Sequence, residues 1–281
     1  MPASARFLVA AVIALVVSGV RAEGWAPSLM LTAAWHDNVS NANASADRVG
    51  ALQTSAALLL SERYSIARDD SLHVSARFAG DWWERYRALN GAAAGARVEW
   101  QHKLGLGALA PIVSVELAAD AVTANEAGRR GTGKGVTLAL RKRFNDLWRV
   151  ALTQEFARHD ARWAVFDRSG AETALEVGRD VTEFTRFALR VNYRKGDVLS
   201  YGTPPRPDLV ALAPNRADVE TFGRPMVAYS IDARTVGARA SYISALNEQS
   251  AVILAYEWRD TERSPFHYVN HLVSLALSHQ F

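Results

Sequence analysis

The chain has 281 residues, with 32 basic and 29 acidic side chains and no cysteine. Disulfides, thiolate metal sites and a lipid-modified cysteine are therefore excluded. If a leader carrying Arg6 and Arg21 is removed, 30 basic residues stand against 29 acidic ones, so charge gives nucleic-acid binding no support.

The chain opens with Arg6, an apolar run over residues 7–17 and a close at Val20-Arg21-Ala22. That order is the one a secretory signal peptide has, and it predicts cleavage after Ala22. Residues 1–22 are accordingly read as the leader and 23–281 as one mature domain. Beyond the leader no apolar stretch reaches the length of a spanning helix, whereas short apolar alternations fill the chain. In a membrane such a chain has one solution, a closed barrel whose backbone groups all pair with neighbouring strands.

The expected fold class is all-β: a closed antiparallel transmembrane barrel of about 12 strands. Taken in order, the strands are predicted over 28–39, 51–66, 71–83, 96–104, 111–123, 135–144, 147–158, 171–180, 185–200, 226–244, 251–259 and 268–281. Tight turns at 67–70, Asn145-Asp146 and Asn247-Glu248 alternate with longer loops, as in barrels with short periplasmic turns and longer outer ones. Trp35, Trp82, Tyr86, Trp100, Trp148, Tyr193, Tyr229, Tyr256 and Trp258 fall toward strand ends, where interfacial girdles belong. The apolar phase of Tyr229, Ile231 and Ala233 changes to Val236, Ala238, Ala240 and Tyr242, which predicts a bulge near Thr235.

With apolar residues facing lipid, the opposite face carries the charge. It holds His73, Ser75, Arg77 and Asp81, then Arg97, Glu99, Gln101 and Lys103, then Glu116 and Asp120. Arg141 and Arg143, Arg149 and Glu155, and Glu172, Glu176 and Asp180 continue it. Arg186, Arg190, Asn192 and Arg194 follow, then Asp232, Arg234 and Arg239, and finally Glu257. The arginines and the two glutamates Glu172 and Glu176 are the expected solute path. Arg186, Arg190 and Arg194 recur at even spacing, as an anion track would require. The same charges, paired with carboxylates on the neighbouring strand, would equally brace a narrow barrel.

Residues 203–225 form the longest connection, with five prolines around Leu209, Val210 and Leu212, and fit either an inward constriction or an outward cover. The stretch Gly128-Arg129-Arg130-Gly131-Thr132-Gly133-Lys134-Gly135 lacks the Ser or Thr of a phosphate-binding loop and precedes a strand, not a helix. It reads as a flexible basic outer loop suited to lipopolysaccharide phosphates. The seven histidines have no metal-ligand spacing on one strand face, and no cofactor is expected.

The last strand ends on Phe281, with Val273, Leu275, Leu277 and His279 on one face and Ser274, Ala276, Ser278 and Gln280 on the other. It resembles the closing strand read by the bacterial outer-membrane assembly machinery, which implies that machinery as a partner and the Gram-negative outer membrane as the location. His73-Val74-Ser75 resembles the pairing of outer-membrane phospholipase A over three residues only. In that family the pair faces lipid near the outer leaflet, whereas here it is expected to point inward at the start of a strand. Residues 35–41 and 264–281 are similar to the first and last strands of the surface lipoprotein assembly modifier barrels, whose N-terminal helical repeats are absent here.

The leading functional expectation is a narrow channel for small hydrophilic solutes, surrounded by outer-membrane lipid and lipopolysaccharide. An assembly or anchoring barrel is the alternative. A lipid-modifying enzyme finds no supporting constellation in these residues.

Overall fold

The structure, a computed structural model, describes residues 24–204 and 213–281. The predicted leader, 1–22, lies outside the described residues, as does the middle of the proline-rich connection. Thirteen strands run in chain order: β1 (Ala26–His36), β2 (Ala51–Ser65), β3 (Asp70–Trp83), β4 (Gly91–Lys103), β5 (Ile112–Ala124), β6 (Gly131–Arg143) and β7 (Trp148–Ala161). They continue as β8 (Arg168–Thr182), β9 (Thr185–Gly202), β10 (Asn215–Asp218), β11 (Met226–Ala245), β12 (Ser250–Arg263) and β13 (Phe266–Gln280).

Twelve of these close a barrel in which every neighbour is antiparallel, because β9 pairs with β11 and β13 pairs with β1. The thirteenth, β10, is a four-residue strand on β11 within the proline-rich connection. Closure leaves no barrel strand with an unpaired edge. The closing seam is long: Ser28 through His36 face Gln280 through Leu272 in unbroken register.

One wall face is apolar and open. Phe187, Leu189, Val191 and Tyr193 on β9 are between 45% and 53% exposed, and they alternate with Arg186, Arg190, Asn192 and Arg194. The outer face turns charged at one level, marked by Lys134 and Arg158 gathered on Asp160 and by His267 on Asp260 at 2.7 Å. A belt of apolar side chains bounded by charge is the profile that hydrocarbon demands of a barrel.

The two ends differ. At one end lie both ends of the barrel chain and the tight turns, among them residues 144–147, where Asn145 Oδ1 accepts the N–H groups of Leu147 and Trp148. At the other end the loops carry single 3-10 turns at Ser45–Asp47, Arg87–Leu89, Ala127–Arg129 and Ala164–Phe166.

The β9 and β11 strands, 18 and 20 residues long, exceed the 9 to 11 or so that a bilayer needs. Their surplus folds over the loop end as a lid. From Val198 onward no residue of the β9 tip is exposed. One lid layer consists of Val198, Tyr229, Ile231 and Ala233 packed with Phe266 and Tyr268. The other consists of Tyr201, Met226 and Ala228 with Phe222, Val165 and Phe166, joined by Val39, Val49, Tyr86, Leu89 and Trp163 from three other loops. Standing free in water, the hairpin would expose these side chains; burying a large apolar side chain contributes about 1.5–3 kcal/mol. That gain favours the folded-in arrangement.

The lid departs from the sequence expectations in several places. No register shift occurs near Thr235, and the one irregularity in the β8–β9 pairing lies between Asp180 and Thr182. Without a bulge, Arg234 and Asp232 share the outward face of Val236, while Thr235 points inward and meets Thr261 at 2.9 Å. Tyr229, Ile231 and Ala233 change phase because they face the lid interior, not lipid. Tyr229 and Tyr86 therefore leave the girdle: Tyr229 is fully buried, and Tyr86 lies edge-on to Phe222 at 5.0 Å. The expected flexible basic loop is ordered as well. Ala127–Arg129 form a 3-10 turn, and Gly131 to Gly135 already belong to β6.

Candidate functional site

Beneath the lid the barrel holds a solvent-accessible cavity of about 690 Å³, bordered by residues of seven barrel strands and by loop residues. A second cavity of about 190 Å³ shares Leu89, Arg129, Arg168 and Leu199 with the first. The inward faces of β8, β9, β11 and β12 deliver the charged groups, since residues two apart on a strand share a face.

The lumen arginines are distributed over several groups of partners. In the turn-end half, Asp180 is shared: Arg186 Nε donates to it at 2.6 Å, Arg149 donates through Nη2, and Arg143 lies at 3.9 Å. Arg141 meets Glu99 at 3.0 Å and Arg97 meets Glu116 at 3.6 Å, both across the β4–β6 wall. Nearer the lid, Arg190 reaches diagonally to Glu172 at 2.8 Å, although its register partner is Glu176. Glu176 makes no ion pair or hydrogen bond among the described residues. Arg194 donates to the backbone carbonyl of Asp197 at 3.1 Å.

Of the residues singled out from sequence, Arg190, Arg194, Arg239 and Glu172 border the large cavity, and Arg77 borders the small one. Arg97, Arg141, Arg143, Arg149 and Arg186 lie lower on the inward face in the ion pairs just described. Arg234 does not join them, because it is on the outer face.

Three cavity arginines were not singled out. Arg129 lies in the β5–β6 loop, Arg168 opens β8, and Arg259 sits on β12 two residues after Glu257, to which it donates at 2.6 Å. Alternation with Glu257 identifies Arg259 as inward; Arg129 falls in the stretch read from sequence as an outer basic loop but turns to the cavity instead, and nothing in sequence signals Arg168. The Arg129 guanidinium lies 4.5 Å from the Phe166 ring centroid and donates to the Tyr201 hydroxyl. Gly128 makes this possible, since a Cβ there would lie 1.9 Å from the Trp163 ring.

The large cavity is therefore bordered by six arginines, at 129, 168, 190, 194, 239 and 259, against three acidic residues, Glu172, Asp197 and Glu257. His36 adds a ring 5.0 Å from Trp83 and bonds Gln53 at 2.9 Å. Among the described residues no group of His, Asp and Glu side chains is arranged to hold a metal ion. Chemically, the arrangement offers guanidinium donors in a water-accessible chamber, and such donors fit carboxylate and phosphate oxygens.

No protein-family model and no curated protein matches this sequence. Solved structures do match its fold. An outer-membrane channel from Pseudomonas putida F1 aligns with a TM-score of 0.63 at 11% identity, covering 92% of this chain and 96% of that one. The KdgM porin in complex with disordered oligogalacturonate aligns at 0.47 and 11% identity, covering 90% and 99%. The NanC porin aligns at 0.48 and 9% identity, covering 90% and 100%. At such identities the likeness concerns architecture, and the architecture is a closed twelve-stranded antiparallel barrel, the fold of that outer-membrane channel.

Proposed function

We propose that the protein is an outer-membrane channel for small hydrophilic solutes, weighted toward anions and restricted at its outer mouth by the β9–β11 lid. The observation that carries this reading is the water-accessible chamber with twice as many arginines as acidic residues inside a barrel with an apolar belt. In this reading residues 1–22 are a cleaved leader, lipid and lipopolysaccharide surround the belt, and the barrel assembly machinery inserts it. The path runs past Arg190, Arg194 and Arg239 into the lower lumen at Arg186, Arg149 and Arg141.

The test is conductance in planar bilayers. The wild type should conduct with anion preference, and a triple variant Arg186→Gln, Arg190→Gln, Arg194→Gln should lose that preference while still folding. A second reading, a braced scaffold or assembly barrel, is favoured by the three arginines gathered on Asp180. Absence of wild-type conductance, with a sharp fall in the variant's melting temperature, would replace the channel with the scaffold.

A further inference from the structure

Pairing within the chamber leaves a definite surplus. Glu172 is taken by Arg190 and Glu257 by Arg259, while Asp197 accepts the N–H and hydroxyl of Ser169 at 2.9 and 2.8 Å. Arg129, Arg168, Arg194 and Arg239 therefore have no carboxylate partner among the described residues. Arg168 makes no hydrogen bond at all among them, and Arg129 keeps a buried Nε without an acceptor. Arg168 is also within electrostatic reach of both Arg129 and Arg194. Arg168 is open to the water of the chamber, and like charges gathered there attract an anion among them.

Their position adds geometry to charge. Arg129 and Arg168 border both cavities, so they form the waist between them. Arg129 is fixed from behind by Phe166 and Tyr201, and such packing leaves a guanidinium pre-organised for an oxyanion. A single monovalent ion would satisfy one of these arginines and leave the others unpaired.

We propose that Arg129, Arg168 and Arg194 form a binding site at this waist for a compact solute bearing at least two oxyanion groups, carboxylate or phosphate. The site deepens the channel reading and takes its physiological sense from it, but its occupancy is measured without any transport. The bound solute would lie beneath the lid, with one anionic group at the waist and the rest of the molecule in the larger cavity toward Arg239.

The experiment is calorimetric titration of the purified full-length mature barrel in detergent with citrate, pyrophosphate, inorganic phosphate and glucose. Citrate or pyrophosphate should bind saturably, the tighter of the two identifying carboxylate or phosphate as the source, and glucose should not bind; inorganic phosphate binding as tightly as both would overturn the requirement for two oxyanion groups. Arg168→Gln should weaken binding about tenfold, the loss expected for one charge-assisted contact. Arg168→Lys should fall between the two, and Lys134→Gln, on the outer face, should match the wild type. If Arg168→Gln fails to fold, the Lys variant carries the same comparison. Equal affinities in the wild type and both Arg168 variants, or equal binding of glucose and citrate, would overturn the site. Binding without conductance would leave the site standing and remove the channel; conductance without binding would do the reverse.

Discussion

Asp47, in the loop between β1 and β2, accepts the backbone N–H of Thr203 at 2.9 Å and its hydroxyl at 2.5 Å, joining residues 156 positions apart. Beside this latch the Tyr201 N–H reaches the Ser40 carbonyl at 2.8 Å, and Arg224 donates to the Asp47 carbonyl at 3.0 Å. Three strands separate β9 from β1 around the closing side of the barrel wall, so these bonds cross the mouth itself. They hold the lid where its apolar layers bring it.

Asp47→Ala should therefore loosen the lid without opening the barrel. Two bonds to a charged acceptor are lost, at about 1.5–3 kcal/mol each at most. Hydrogen exchange at the Tyr201 and Thr203 amides should accelerate while the β1–β13 seam stays protected. Unchanged exchange at those amides would show that apolar packing alone holds the hairpin.

Asp180 and Glu172 should differ in stability cost. Asp180 serves Arg149, Arg186 and Arg143, whereas Glu172 serves Arg190. Asp180→Asn leaves several guanidinium groups around one weakened acceptor and should cost about 1.5–3 kcal/mol. Glu172→Gln, in the water-accessible chamber, should cost about 0–1 kcal/mol. Urea unfolding of the two variants in the same detergent measures the order, and a reversed order would contradict this account.

Gly196 should tolerate no side chain. Its φ is +150°, and a Cβ there would meet the Ser169 carbonyl oxygen at 2.2 Å, opposite Gly170 in the ladder. It stands just before the β9 tip becomes covered on both faces. Gly196→Val should disturb the lid and lower the yield of folded barrel. Gly135→Ala, whose Cβ would find its nearest contact at 3.4 Å, should not. Comparing the heat-modifiable folded fraction of each on a gel is sufficient.

Phe281 closes the chain with its N–H on the Pro27 carbonyl at 3.1 Å and its ring 4.5 Å from His279. Deleting it removes one bond from the end of a long seam, so the finished barrel should melt nearly as before. Insertion should nevertheless slow if the terminal aromatic is read during assembly. Pulse-chase kinetics beside the melting temperature separate the two effects, and equal insertion rates would make the C-terminal resemblance incidental.

Alternation along single strands carried most of the architecture. Each inward and outward choice is local, and a one-residue slip would place a full set of apolar side chains in the lumen. That is why the twelve barrel strands, their turns and the inward position of Arg190, Arg194 and Arg239 are legible in the chain. The same logic failed for Arg234 and Tyr229, because beyond the belt the covering of a face depends on which loops lie against it, not on lipid. Arg129 acquires its place only when the lid brings Tyr201 to it beside Phe166 of the β7–β8 loop. Such contacts join residues far apart in sequence, and no periodicity encodes them. Local pattern determined the wall, while long-range packing of an oversized hairpin decided the chamber and the charges left unpaired within it.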